Sequence, residues 1–166
     1  MRTGIALGSN LGDRIANLTA GRESFLRLPG VSAPALCSRV YETEPVGTGP
    51  DAGAFLNAVI EVEHSGDPFA LLAALRSIES ALGRPTRYPR NAPRTLDLDI
   101  LYTGDLVLNT DTLILPHPRL HLRRFVLAPL NDIRPDLRLP GQSHTVAELF
   151  AQLDDPAAVT VFANTW

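Results

Sequence analysis

Residues 93–101, PRTLDLDIL, alternate charge with apolar bulk: Asp97 and Asp99 interleave with Leu96, Leu98 and Ile100. A period of two is that of a β-strand, whose successive side chains leave opposite faces of the sheet. Aspartate is depleted from strands, so two of them on one face call for compensation. Their repulsion is modest in water and grows in a partly closed cleft. The apolar neighbours predict a central strand with the cleft on its aspartate face. A divalent cation would remove the repulsion. Mg2+ takes oxygen ligands, keeps several waters and commonly uses one or two protein carboxylates together with substrate phosphates. With one cysteine and four histidines, the chain shows no cluster suited to zinc.

Just upstream, residues 84–95 (RPTRYPRNAPRT) hold three prolines and four arginines and read as an exposed loop. All fifteen basic residues of the chain are arginine. The lack of lysine excludes Schiff-base chemistry and a P-loop lysine, whereas the arginine fork suits phosphate oxygens. A phosphate-binding loop beside a metal-binding strand points to a metal–phosphate site. The net charge of −3 argues against a general nucleic-acid binder. No apolar run reaches membrane-span length, and the N-terminus carries no signal-peptide core. The lone Cys37 fits a reducing compartment and reads as a small buried residue rather than a nucleophile. These features predict a soluble, cytoplasmic protein.

The chain length of 166 residues fits one domain, residues 1–166. A strand over 3–9 should lead into a helix capped by Ser9 or Asn10, with Leu11, Ile15 and Leu18 on one face. Residues 31–45 are strand-like in their second half, with Pro34 marking an edge or an irregular start. Residues 46–53 form a glycine-rich loop. Residues 54–64 alternate, placing Phe55, Asn57, Val59 and Glu61 on one face. The clearest helix spans 67–83, capped by Asp67, with Pro68 in its first turn and Gly83 at its end. After the 96–104 strand come short strands within 105–116 around a turn at Asn109–Thr110, then helices over 123–133 and 145–153. The opening order β-α-β-β-α-β predicts a ferredoxin-like α+β fold: an antiparallel sheet with helices on one face, plus C-terminal additions.

Three segments, IALGSNLGDR (5–14), PRTLDLDIL (93–101) and LPHPRLHLRRFVLAPL (115–130), resemble in sequence, order and separation the 6-hydroxymethyl-7,8-dihydropterin pyrophosphokinase family. The resemblance covers essentially the whole chain. It implies transfer of pyrophosphate from MgATP to the hydroxymethyl group of a reduced pterin, leaving AMP, with ATP as co-substrate and two Mg2+ ions on Asp97 and Asp99. It implies phosphate contacts from Arg94, His117 and Arg123, and a nucleotide site including Glu79, Arg84, Arg87, Ile100 and Leu113. Thr43, Val46, Phe55, Asn57 and Phe125 would hold the pterin, with the two phenylalanines sandwiching its ring. It further implies small-molecule partners only, no nucleic acid or membrane, and a monomer. Many family members carry tryptophan and glycine where this chain has Asn91 and Ala92, and arginine where it has Thr86. Tyr88, Arg87 or Arg90 would then substitute in closing the arginine loop. Without the motifs, Phe55 and Phe125 are ordinary core residues and Glu79 an exposed helix carboxylate near Arg76. Two other functions compete: a ferredoxin-like binding module without chemistry, and a Mg2+-dependent kinase that makes ADP.

Overall fold

The computed structural model describes residues 1–44, 53–83 and 92–166. The chain runs β1 (Arg2–Ser9), α1 (Arg14–Leu26), β2 (Val31–Cys37), β3 (Val40–Thr43), β4 (Phe55–His64), α2 (Pro68–Ala81) and β5 (Asp97–Thr103). There follow a small hairpin, β6 (Leu108–Asn109) and β7 (Ile114–Leu115), a 3-10 turn (Leu120–Leu122), α3 (Arg124–Ile133), α4 (Val146–Gln152) and β8 (Val159–Ala163). The main sheet has the order β5-β1-β4-β3-β8, and β2 also pairs with β4. All of its pairings are antiparallel. The first five main-sheet strands and two helices give the expected ferredoxin-like frame, with β2 and β3 together filling one strand position.

One core lies between the sheet and α1 and α2, built on Ile5, Leu7, Phe25, Leu75, Leu96 and Leu98. A second lies on the opposite face, where Val59, Leu101 and Tyr102 meet Leu127 and Leu130 of α3 and Val146 of α4. The sheet is thus covered on both faces, the second by the C-terminal additions. Among the described residues no helix is long and apolar enough to cross a membrane.

Local chemistry explains the element ends. Asp67 accepts the Ala70 N–H at 3.1 Å, Pro68 starts α2, and Gly83 takes a positive φ of 91° beyond its end, as helix capping requires. In α4, Thr145 and Glu148 form a reciprocal capping box. Pro34 falls where the β2–β4 ladder is interrupted between Ser32 and Leu36, the position expected of a residue without an N–H.

Several expectations are corrected. The cap of α1 is Asp13, which accepts the Ala16 N–H at 3.1 Å, not Ser9 or Asn10. Residues 11–13 form a bend before the helix in which Asn17 Nδ2 donates to the Leu11 carbonyl at 2.8 Å, so Leu11 is exposed rather than on the helix face. The hairpin turn lies one step later than expected, with Thr110 N–H and Oγ1 both bonded to the Leu113 carbonyl. Cys37 is exposed on β2. β8 was not foreseen; it extends the sheet by pairing with β3. The aspartate strand β5 is at the sheet edge, not central. Its apolar composition reflects burial on both faces. Its outward Leu98 N–H is satisfied by Glu79 Oε1 at 2.7 Å.

A buried polar cluster fixes the second core. Glu61, 3% exposed, accepts the Tyr102 hydroxyl at 2.6 Å and Arg134 Nε at 2.8 Å. A register shift between Gly4 and Ile5 places Tyr102 opposite Gly4, and a Cβ on Gly4 would stand 2.4 Å from the tyrosine ring. Gly4→Ala should therefore push the ring off its Glu61 bond and destabilise the protein by about 1–3 kcal/mol. Urea unfolding measures this, and an unchanged midpoint would contradict it.

Candidate active site

A cavity of about 490 Å³ opens where β1 ends and β4 and β5 begin. Its wall includes Asp97, Asp99 and Leu101 of β5, while Leu98 and Ile100 belong to the core on the other face. The alternation read from the sequence therefore puts both carboxylates into the cavity.

Arg94 reaches Asp97 directly: Nη1 donates to Oδ2 at 2.8 Å. The arginine is placed by its own backbone. Its N–H donates to Asn10 Oδ1 at 2.8 Å, and the Asn10 N–H donates back to the Arg94 carbonyl at 3.1 Å. This clamp is the structural use of the GSN segment, which ends β1 against the entry to β5. From behind, the Glu79 bond to Leu98 holds the same stretch of β5.

His117 approaches from the chain after β7. Its N–H donates to the Leu101 carbonyl at 2.7 Å, and its ring Nδ1 accepts the Arg119 N–H at 3.2 Å. An acceptor Nδ1 carries no proton, so the neutral ring carries its hydrogen on Nε2 as a donor. Burial first, then the charges of Arg123 and Arg119, push the His117 pKa down to about 4, against an opposing pull from Asp97. Near neutral pH the ring is an uncharged donor.

Arg123 and Arg124 stand together at the start of α3, where positive charge opposes the helix dipole. They are used differently. Arg124 is engaged by Asp155: its N–H donates to Oδ2 at 3.1 Å and its Nε to the Asp155 carbonyl at 3.2 Å. Arg123 lines the cavity. Burial and the nearby Arg119 lower its pKa, while Asp99 and Asp97 act the other way.

The remaining wall is aromatic and amide. Phe55 and Phe125 both line the cavity, with Arg94 5.9 Å from the first ring centroid and Arg123 5.4 Å from the second. Asn57 Nδ2 donates to Thr43 Oγ1 at 2.9 Å. One Nδ2–H is thereby committed, which leaves the second Nδ2–H and the acceptor Oδ1 of the amide. Gly8 keeps the space beside it open, since a Cβ there would lie 3.3 Å from Oδ1.

Nine expected site residues thus meet in one cavity: Asp97, Asp99, Arg94, His117, Arg123, Thr43, Phe55, Asn57 and Phe125. Glu79, Ile100 and Leu113 do not line it; they are buried, and the two apolar ones pack in the α1–α2 core. Val46, Arg84 and Arg87, with Thr86, Tyr88, Arg90 and Asn91, lie outside the described residues. Sequence reasoning missed Arg119, Glu44, Gly8 and Ala157 as lining residues. Arg119 was within reach, because it follows His117 by two in the HPR segment; Ala157, in the unforeseen C-terminal stretch, carried no signal. Among the described residues, no group of three or more His, Cys, Asp or Glu forms a metal cage. Asp97 and Asp99 are two carboxylates in a cavity with room for phosphate oxygens, and that donor set fits a hard cation completed by substrate.

The His117 environment has a pH consequence. Its folded pKa lies below the ordinary 6.5, so the unfolded chain binds the proton more readily. The stability due to the neutral ring is complete above about pH 6.5 and is lost as pH falls towards about 4. An NMR titration should place the His117 midpoint near 4, and His117→Gln should flatten the fall in unfolding free energy over that window. A midpoint near 6.5 would contradict the assignment.

Comparison with known proteins matches this arrangement to one family. A family model described as 7,8-dihydro-6-hydroxymethylpterin-pyrophosphokinase (HPPK) matches residues 4–135. A Bacillus subtilis protein named 2-amino-4-hydroxy-6-hydroxymethyldihydropteridine pyrophosphokinase is 46% identical over 129 residues, covering 78% of this chain and 75% of its own. A Pseudomonas aeruginosa protein of the same name is 42% identical over 150 residues, covering 90% of both chains. Among solved structures, wild-type Plasmodium falciparum HPPK-DHPS with pteroate aligns over 91% of this chain with a TM-score of 0.70 at 15% identity. That likeness is one of fold, and this chain spans 42% of the longer Plasmodium chain.

Proposed function

The chain belongs to the 7,8-dihydro-6-hydroxymethylpterin-pyrophosphokinase family, and we propose that the cavity described above carries out that family's reaction. It is an ATP-dependent pyrophosphokinase of folate biosynthesis: pyrophosphate passes from MgATP to the hydroxymethyl group of 6-hydroxymethyl-7,8-dihydropterin, giving AMP and the pterin diphosphate. The observation that carries the residue assignment is the division of the cavity wall. Asp97, Asp99, Arg94 and Arg123, with the neutral donor His117, form a charged half, and Phe55, Phe125, Asn57 and Thr43 an aromatic and amide half.

In the aromatic half the pterin ring lies between Phe55 and Phe125. The Asn57 Oδ1 accepts from its amino or ring N–H, while one Nδ2–H stays on Thr43. The hydroxymethyl oxygen then faces the charged half. Asp97 and Asp99 would hold Mg2+, two ions in this reading, and the metal would supply positive charge against the ATP phosphates. Arg94 turns from Asp97 to phosphate, Arg123 presents its fork from the other wall, and the Nε2–H of His117 donates without adding charge. The new bond joins the hydroxymethyl oxygen to the β-phosphorus, and the bond to the bridging oxygen of the departing AMP breaks. Asp97 is the candidate acceptor for the hydroxyl proton. Positioning and electrostatics supply the acceleration, with no covalent intermediate. For Glu79, Ile100, Leu113, Arg84, Arg87 and Val46 the support is the family resemblance. For the monomeric state, with residues 1–166 acting as one domain, the support is likewise the family resemblance.

Incubation with ATP, Mg2+ and the pterin, followed by nucleotide chromatography, should give AMP and the pterin diphosphate in equal amounts. ADP with a monophosphorylated pterin would contradict attack at the β-phosphorus. Pterin binding without turnover would favour a binding module. Asp97→Ala and Asp99→Ala should each lower kcat by about 10²–10³-fold or more. In EDTA Asp97→Ala should melt no higher than wild type, because it removes the ion pair with Arg94 at 2.8 Å as well as the repulsion from Asp99. An active, Mg2+-dependent Asp97→Ala and Asp99→Ala pair would refute the metal assignment.

A further inference from the structure

Arg119 sits on the lip of the cavity, exposed, two residues after His117. Its backbone and side chain are separable. The N–H is fixed on His117 Nδ1 at 3.2 Å. The guanidinium makes no hydrogen bond or ion pair within the structure's described residues. Other arginines are matched with acids: Arg14 with Glu42, Arg39 with Asp132, Arg94 with Asp97 and Arg134 with Glu61. Arg119 instead brings positive charge to bear on His117 and on Arg123, a second cation. Such clustering of like charge at a cavity mouth is unfavourable until a multivalent anion enters.

We infer that Arg119 is a further phosphate-binding residue of this site, its guanidinium closing beside Arg123 on the β- and γ-phosphates of ATP, the part that is transferred. This deepens the pyrophosphokinase reading and rests on it. The choice of phosphates follows from position. Arg123 lies over the Phe125 ring at 5.4 Å, on the pterin wall, and the transferred group is the part of ATP that must abut the pterin. A planar fork can span two phosphate oxygens, and residue 119 keeps its bond to His117 whatever side chain it carries.

Calorimetric titrations of the full chain with Mg2+ and α,β-methylene-ATP, with AMP, and with 6-hydroxymethylpterin test this in wild type, Arg119→Ala and Arg119→Lys. Arg119→Ala should bind the ATP analogue about tenfold more weakly, with a shallower salt dependence. AMP and pterin binding should stay as in wild type, and Arg119→Lys should recover part of the loss. Equal affinity of wild type and Arg119→Ala for the analogue would overturn the inference and leave the pyrophosphokinase reading intact. Parallel weakening of AMP would move the contact to the α-phosphate, and weakening of all three ligands would mark a structural residue; either result also overturns it. A wild-type protein that fails to bind the analogue would overturn the functional reading itself.

Discussion

Asp97 and Asp99 project from one face of β5 into a cavity that Arg94, Arg119 and Arg123 also line, and the placement of that pair organises the molecule. The strand is fixed on every side. β1 pairs along one edge, Glu79 takes the outward Leu98 N–H, and Asn10 clamps the backbone of Arg94 just ahead of the strand. Arg94 holds Asp97 at 2.8 Å. That ion pair holds a carboxylate and a guanidinium in fixed positions at the cavity wall, and the proposed reaction would give them two different partners, a cation and a phosphate. Charged groups already oriented in a partly closed site reorganise less when substrate arrives, the basis of electrostatic preorganisation.

The second core extends the same logic. α3 begins at the cavity with Arg123 and Phe125 and ends at Arg134, which is locked to the buried Glu61 together with Tyr102. Breaking such a buried pair from one side costs about 3–5 kcal/mol, so the helix has little freedom to slide. At its near end Asp155 engages Arg124, leaving Arg123 for the cavity. The C-terminal additions to the ferredoxin-like frame therefore build one wall of the site. Arg14 steadies the opposite wall: its Nη1 donates to Glu42 Oε1 at 2.7 Å and to the Ala54 carbonyl at 2.8 Å, next to Thr43 and Phe55.

Much of this was legible in the sequence because the signals were local. The D-x-D alternation gave the carboxylate face, Asp67-Pro68 and Gly83 gave both ends of α2, and period-two patterning put Phe55 and Asn57 on one face. Motif resemblance gathered His117, Arg123 and Phe125, which no local pattern joins to β5. What was missed depended on tertiary packing. β5 reads as central because it is apolar on both faces, yet burial on two faces is compatible with an edge strand whose outer N–H meets a side chain. β8 is short and half-exposed, so its pattern is weak without its partner β3. The Asp13 cap lost to Ser9 and Asn10 in the sequence because those residues are also good caps; the structure uses Asn10 to hold Arg94. Glu61 shares a strand face with Phe55, Asn57 and Val59, and no local signal names its partners Tyr102 and Arg134, which are distant in the chain.

The account stands on the exchange of partners by the aspartate pair. A crystal structure with α,β-methylene-ATP, Mg2+ and 6-hydroxymethylpterin tests it most directly. It should show Asp97 and Asp99 ligating Mg2+ that bridges phosphate oxygens, Arg94 moved from Asp97 to phosphate, and the pterin between Phe55 and Phe125 with its hydroxyl facing the β-phosphorus. A nucleotide bound with the Arg94–Asp97 pair unbroken and the metal away from both carboxylates would contradict it.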